Sequence, residues 1–478
     1  MKKALTSIVL ILFCLLYAEA RKPNIIFILM DDLGKEWISA YGATDIETPR
    51  IDQLASEGMR FENFYVMPQC TPTRLSFATG QYPFRHGWVN HWDVPRWGGG
   101  IHYDPNKNPS IAKNLRNAGY KTAAAGKWQV NDFRVQPNAM QLHGYDDYCM
   151  WTGFETGVKA SKKRYYDPYI HTKEGSKTYV DRFGEDVFTD FLVNFMKEHK
   201  DQPMFLYYAM CLPHTPLVAT PNEPNAEGKL GQHLAMVRYA DKMVGKLVDA
   251  AEKFGLRENT LFVFTTDNGT ADQIAGTING VKVKGAKTRY SEAGACMPFI
   301  ISQPGSVPQD AISKAPANIV DMLPTFTNLA GSSVDPNYTY DGHSLVDVFY
   351  GSSRMGPRKF NLSMGGGNGA QLTENSVENQ FNFRDRVVRD FRYKLYINTT
   401  RKPDRLYDLE KDPFEENDLI GDPKLGEKVK ELFNYIKDHP AQDFDPIYDP
   451  LGPQDWDKEI EVQSQVWKKG QPEEHSEL

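Results

Sequence analysis

The chain has 478 residues and a formal net charge of −7, with 40% hydrophobic and 24% charged residues. That acidic balance argues against nucleic acid as a partner, which asks for a basic face, and after the first twenty residues no apolar run suits a stable membrane anchor. The length suffices for one large domain and a smaller one, and any anionic ligand must find its positive partners locally.

In chain order, Lys2 and Lys3 precede an apolar run from Ile8 to Tyr17, and Ala18-Glu19-Ala20 has the small residues of a cleavage site. Residues 1–20 are therefore expected to be a signal peptide, placing the mature protein in the periplasm or outside the cell. Phe13 ahead of Cys14 argues against a lipoprotein cleavage site. The mature chain keeps Cys70, Cys149, Cys211 and Cys296, and counting alone in an oxidising compartment gives two disulfides.

Asn24–Met30 has the length and β-branched content of a buried strand, and it ends in Asp31-Asp32. Thr48 as cap, Pro49 in the first turn and Gly58 as terminator bracket a helix with Ile51, Leu54 and Ala55 on one face. The stretch QCTPTRLSFATG, residues 69–80, opens a second helix, with Thr71 as cap and Pro72 in the first turn. Cys70 then faces free backbone N–H groups, a position that attracts anions and favours a thiolate.

A helix from Ser110 to Ala118, stopped by Gly119, leads into a strand over Tyr120–Ala125 and then Gly126-Lys127-Trp128-Gln129. The strand Met204–Met210 is followed by Pro213-His214-Thr215-Pro216. A long helix over Gly231–Phe254 precedes the strand Leu261–Thr265, which runs into Asp267-Asn268-Gly269. A Gly-rich loop over Val283–Gly294 offers Lys284, Lys287 and Arg289. Past Glu374 the texture changes to a strand at Phe391–Asn398, a hairpin arm at Arg405–Pro413 and a helix at Leu425–Ile436. The expected organisation is a signal peptide at 1–20, a catalytic domain at 21–374, a C-terminal subdomain at 375–440, and a charged, extended or mobile tail at 441–478.

Strands alternating with helices read as an α/β fold with a largely parallel sheet. In such sheets the ligand crevice lies beyond the carboxyl ends of the strands, so the four polar groups there should converge. Asp31, Asp32, Asp267 and Asn268 are oxygen donors that suit a hard divalent cation, Ca2+ more readily than Mg2+. Lys127 and His214 could hold an anion beside it. Taken singly, Asp-Asp and Asp-Asn-Gly are ordinary turns and a cationic loop is ordinarily a solvated one. Their joint occurrence at strand ends, with Cys70 at a helix start, points to a site.

These residues resemble the type I sulfatases of the alkaline phosphatase superfamily. The family signature is Cys or Ser, any residue, Pro, any residue, Arg, then Thr-Gly after four more positions, met here by Cys70, Pro72, Arg74, Thr79 and Gly80. The resemblance runs from Lys22 to about Asp418. It implies a large mixed, mostly parallel sheet between helices, with a smaller C-terminal antiparallel sheet and helix. It also implies that a formylglycine-generating enzyme oxidises Cys70 to formylglycine. Asp31, Asp32, Asp267 and Asn268 are then similar to the Ca2+ ligands, completed by the modified Cys70. Arg74 resembles the residue that steadies the aldehyde hydrate, Lys127 and Lys287 the sulfate-binding lysines, and His214 the histidine facing the ester oxygen.

The implied activity is hydrolysis of a sulfuric ester, by attack of one hydroxyl of the hydrate on sulfur and proton donation from His214 to the leaving alkoxide. The second hydroxyl then allows sulfate to be expelled as the aldehyde re-forms. Two positions depart from the family pattern. Gln129 stands where many members have His; it can bond the formylglycine hydroxyl but cannot act as base, leaving His86, His91, His102 or His143 as candidates. Cys296 replaces an arginine in Glu292-Ala-Gly-Ala-Cys-Met-Pro298, a change expected to touch loop packing or the substrate rim. With Cys70 converted, the other three cysteines allow at most one disulfide.

Tryptophans at 88, 92, 97, 128 and 151 could stack on sugar rings or simply anchor loops, and the implied substrate is a sulfated carbohydrate. Alternatives are a phosphate or phosphonate ester hydrolase on the same scaffold and a non-catalytic binder of sulfated glycans.

Overall fold

Strand β1, Asn24–Met30, has all seven residues buried, because it lies at the centre of a sheet covered on both faces. The computed structural model describes residues 22–89, 102–151, 164–365, 370–372, 377–379 and 381–449. The expected signal peptide, His91, Trp92, Trp97 and the tail from residue 450 lie outside the described residues.

After β1 come helix α1 (Pro49–Ser56), β2 (Met59–Tyr65), α2 (Cys70–Thr79), α3 (Ile111–Asn117), β3 (Lys121–Lys127), β4 (Asp147–Trp151), β5 (Tyr169–Thr172) and β6 (Gly175–Thr178). Helix α4 (Gly184–Glu198), β7 (Met204–Ala209), α5 (Gly228–Lys253), β8 (Thr260–Thr266), β9 (Ala275–Ile278), β10 (Val281–Lys284), β11 (Cys296–Ser302), β12 (Ala311–Ser313) and β13 (Ala317–Asn318) follow. The main sheet has the order β12-β2-β11-β8-β1-β7-β3-β4-β5-β6, with β13 beside β2. Its centre, β8-β1-β7-β3-β4, is parallel, while β11 and β5 join it antiparallel.

Alternation along β1 splits the core. Ile25, Phe27 and Leu29 face one cluster, with Leu75 and Phe77 of α2 and Leu115 of α3. Ile26, Ile28 and Met30 face the other, with α1, α4 and α5. Phe27 and Phe77 stack with centroids 4.1 Å apart, which adds about 1 kcal/mol beyond simple burial and seats the signature helix on the central strand.

Helix α2 begins two residues earlier than its sequence suggests. Gln69, extended at φ −146, is the N-cap without a side-chain bond, and the Thr73 N–H reaches the Gln69 carbonyl at 3.2 Å. Pro72 still sits in the first turn, where its missing N–H costs nothing. Thr71 is therefore inside the helix rather than its cap. The disulfide expectation is also corrected: Cys70, Cys149, Cys211 and Cys296 are all buried free thiols.

Past α6 (Met322–Leu329), a second sheet has the order β14 (Asn361–Met364), β17 (Arg386–Arg389), β18 (Tyr393–Ile397), β19 (Pro403–Asp408), all antiparallel. A two-stranded ladder, β15 (Ala370–Leu372) and β16 (Val377–Asn379), lies between β14 and β17 in sequence. Helix α7 (Gly426–Asn434) follows β19 and buries Leu432. The sheet thus takes its first strand from ahead of residue 374. Residues 441–449 form no helix or strand but are tied down: Arg386 Nη2 bonds Asp443 Oδ2 at 2.7 Å with both side chains fully buried.

That pair yields a prediction. Asp443→Ala leaves a buried guanidinium without its carboxylate, so urea unfolding should show a loss of about 3–5 kcal/mol; a loss under 1 kcal/mol would mean the segment is not held there.

Candidate active site

The parallel neighbours β8, β1, β7 and β3 end side by side, and the residues just past them meet. Each reaches its place for a local reason. Gly126 adopts φ +99, and a Cβ there would lie 1.9 Å from the Ala209 carbonyl of β7, so only glycine lets β3 deliver Lys127 beside β7. Asp32, at φ +60, turns the chain off β1, and its N–H donates to Asp267 Oδ1 at 3.1 Å.

The charges interlock. Lys127 Nζ lies 2.7 Å from Asp31 Oδ2, and Lys287 Nζ lies 2.9 Å from Asp32 Oδ2. Arg74, rising from α2, places Nη2 2.7 Å from Asp267 Oδ2 and 3.4 Å from Asp31 Oδ2. Asn268 Nδ2 donates to Asp32 Oδ1 at 2.7 Å. Cys70 Sγ and carboxylate oxygens of Asp31 and Asp267 all lie within 4.8 Å of one another. The structure therefore brings Asp31, Asp32, Cys70, Arg74, Lys127, His214, Asp267, Asn268 and Lys287 into one buried cluster.

Burial would raise Asp31, but Lys127, then His214, Arg74 and Lys287, hold it far below the usual carboxylate range. Burial and then the neighbouring Asp31 push Asp267 up to about 7. Burial also raises the Cys70 thiol, against the thiolate that its helix-start position suggests. Burial, then Lys287, lowers His214 to about 4. An anion seated between His214 and Lys287 would work against that second effect. His214 Nε2 faces Lys287 Nζ at 3.2 Å and Asp32 Oδ2 at 3.6 Å.

The donor set fits a hard cation. Among the described residues, Asp31 Oδ1 and Asn268 Oδ1 are buried oxygens with no hydrogen-bond partner, and the surrounding set has three carboxylates, the single thiol of Cys70 and the single imidazole of His214. Such oxygens suit Ca2+ or Mg2+. Gln129 sits at φ +69, uncommon for a side chain of its kind, and its buried Oε1 has no hydrogen-bond partner among the described residues.

Other sequence candidates fall elsewhere. His86 Nε2 lies 3.1 Å from Ser76 Oγ, and His143 stacks on Tyr103 at 4.0 Å; burial lowers both to about 3. Among the described residues neither bonds Cys70. His102 Nε2 lies 3.9 Å from Asp104. Cys296 packs beside Lys35 Nζ at 3.1 Å and Arg389 Nη1 at 3.7 Å, in the seam between the two sheets. Lys284 and Arg289 are exposed.

Three residues were missed. Fully buried Glu185 accepts from the N–H groups of Cys211 at 2.7 Å and Leu212 at 3.2 Å. Tyr165 Oη donates to the carbonyls of Cys211 and His214 at 2.7 and 2.5 Å. Together they satisfy the loop that carries His214. Arg164, stacked 4.5 Å over Trp151, places Nη1 3.0 Å from His214 Nδ1, which also lies 2.7 Å from the Thr215 carbonyl. The one available signal was Glu185, a carboxylate in register with Phe188, Leu192 and Phe195 on the buried stripe of α4.

Comparison with known proteins agrees with this geometry. Residues 23–332 match the family model described as Sulfatase. An N-acetylgalactosamine-6-sulfatase from Canis lupus familiaris is 30% identical over 69% of this chain and 66% of its own length, so the chain spans just under two thirds of that relative. Arylsulfatase A from Homo sapiens is 28% identical over 87% of this chain and 88% of its own. Among solved structures, Ps i-CgsB in complex with k-i-k-neocarrahexaose superposes with TM-score 0.74 at 25% identity, covering 93% of this chain and 98% of that one.

Glu185 makes a pH prediction. Burial raises its carboxyl from 4.5 to about 7 despite its hydrogen bonds, so the folded state holds that proton more tightly than the unfolded chain. The resulting stabilisation is full below about pH 4.5 and is lost as pH rises through about 7, a change of about 3 kcal/mol. Urea melts across that range should show wild type losing stability relative to Glu185→Gln; parallel curves would refute the assignment.

Proposed function

The chain belongs to the sulfatase family, and on that premise we propose that it hydrolyses sulfuric esters of a carbohydrate, with Cys70, converted to formylglycine by a maturing enzyme, as nucleophile. The observation that carries this reading is the position of Cys70 Sγ within 4.8 Å of carboxylate oxygens of Asp31 and Asp267, with Lys127 and Lys287 on the adjoining carboxylates. A sulfated sugar as substrate is supported by the named sulfatase relatives and by the carrageenan hexasaccharide bound to the solved structure of similar fold. The signal-like residues 1–20 support a secreted or periplasmic enzyme, with residues 21–374 as catalytic domain and 375–440 as a C-terminal subdomain to whose sheet β14 is lent and onto which the first part of the 441–478 segment packs.

Asp31, Asp32, Asp267 and Asn268 would hold one Ca2+, which when bound offsets the carboxylate charge and polarises the oxygen of the modified residue 70. The protein's own groups do the rest. Arg74, fixed between Asp31 and Asp267, orients residue 70 from the helix below. Lys127 and Lys287 neutralise the equatorial sulfate oxygens as charge shifts onto them. His214 Nε2, on the Lys287 side, gives its proton to the leaving alkoxide. Gln129 offers hydrogen bonds, but no base, to the hydroxyl of the modified residue 70. Burial of the whole cluster keeps competing water out and strengthens each charge interaction.

The test is direct. An aldehyde-reactive probe should label residue 70 in natively produced protein, and Cys70→Ala or Asp267→Ala should lower kcat on sulfate esters by about three orders of magnitude or more. An active protein whose Cys70 remains an unmodified thiol would overturn the proposal. Chelation should abolish activity, and Ca2+ should restore it.

A further inference from the structure

Between Gln273 and Ser291 the chain carries Lys282, Lys284, Lys287 and Arg289 and no acidic residue, although the whole is charged −7. This run is the β9–β10 hairpin and its exit. The hairpin pairs Ile278 with Val281 and Ala275 with Lys284, and it is inserted between Asn268 and Lys287, two residues of the proposed site. Its root is fixed by the Gly285 N–H on the Ile274 carbonyl at 2.8 Å and the Lys287 N–H on the Thr270 carbonyl at 3.0 Å.

One face is turned inward. Gly276 pairs with Val283, and a Cβ at Gly276 would lie 2.9 Å from the Trp37 ring. Strand alternation puts Lys282 and Lys284 on the opposite face, where both are exposed. Among the described residues neither has an ion-pair partner, and Arg289, with a side chain 65% exposed, has only Asp272 at 3.6 Å. Lys287 follows Lys284 by three positions, at most about 10 Å of extended chain. Lys284 therefore lies close along the chain to the proposed sulfate pocket, with exposed Lys282 two residues further along the same face of the hairpin.

We propose that the outer face of this hairpin docks a polymeric, multiply sulfated glycan, with Lys282, Lys284 and Arg289 meeting sulfates that neighbour the one being removed. This rests on the sulfatase reading and narrows its substrate to a polyanionic chain. A row of solvated cations gains little from a single anion but accumulates attraction, and faster encounter, along a row of them. The competing role is a structural one: β10 is an edge strand, and lysines on an edge deter pairing with other chains.

Lys282→Glu/Lys284→Glu in the full chain separates the two. In affinity gels containing carrageenan or chondroitin sulfate, wild type should be retarded and the variant should not. Its kcat/KM on the hydrolysed polymer should fall about tenfold at low salt, an effect that shrinks as salt is raised, while hydrolysis of 4-nitrophenyl sulfate stays within about twofold. Unchanged retardation, a variant that merely aggregates, or an equal loss on the aryl ester would overturn the docking face. Wild type retarded through these lysines yet inactive on every sulfate ester would instead refute the sulfatase reading alone.

Discussion

Three buried carboxylates crowd the ends of two adjacent strands, and much of the surrounding structure answers that crowding. Asp31 and Asp32 leave β1, Asp267 leaves β8, and neither strand can be moved without breaking the continuous ladder between them. Like charges out of water are costly unless neutralised. Arg74 comes from α2, Lys127 from β3 and Lys287 from the loop after the hairpin, so three separate elements must be in register to supply the compensation. The Phe27–Phe77 stack and the glycine at 126 are packing devices that hold two of those three in place.

The third is held from the C-terminal sheet. Glu292, five residues after Lys287, meets Arg389 of β17 and Lys394 of β18, each at 3.2 Å, and Lys394 also reaches Glu415 at 3.0 Å. Lys394 is fully buried in this network, which makes the smaller sheet a clamp on the loop rather than an appendage. Cys296, where the family pattern has arginine, lies in the same seam between Lys35 and Arg389, so cations reach that spot from two other elements.

The central strands and four strand-end groups were legible because a run like Asn24–Met30 leaves no other reading and because polar residues at strand ends stand out against apolar neighbours. The family signature added the role proposed for Cys70. Shorter strands such as β4, β5 and β14 carry no comparable periodicity, and their pairing partners are distant in sequence. The β9–β10 hairpin, with Asn279-Gly280 at its turn, has the sequence of a tight hairpin, yet its lysines draw the eye to charge instead. Tyr165 binds backbone carbonyls of a loop far along the chain, so no side-chain pattern could announce it, and Glu185 left only its place on the apolar stripe of α4 as a trace. Free cysteines replaced the expected disulfides because burial, not bridging, is what those positions provide.

All of this depends on the carboxylate cluster being a cation site, and calorimetric titration of the protein with Ca2+ tests that most directly. One ion per chain should bind to wild type, and binding should be lost in Asp31→Asn/Asp267→Asn. Undiminished binding in the double variant, or none in wild type, would contradict the account.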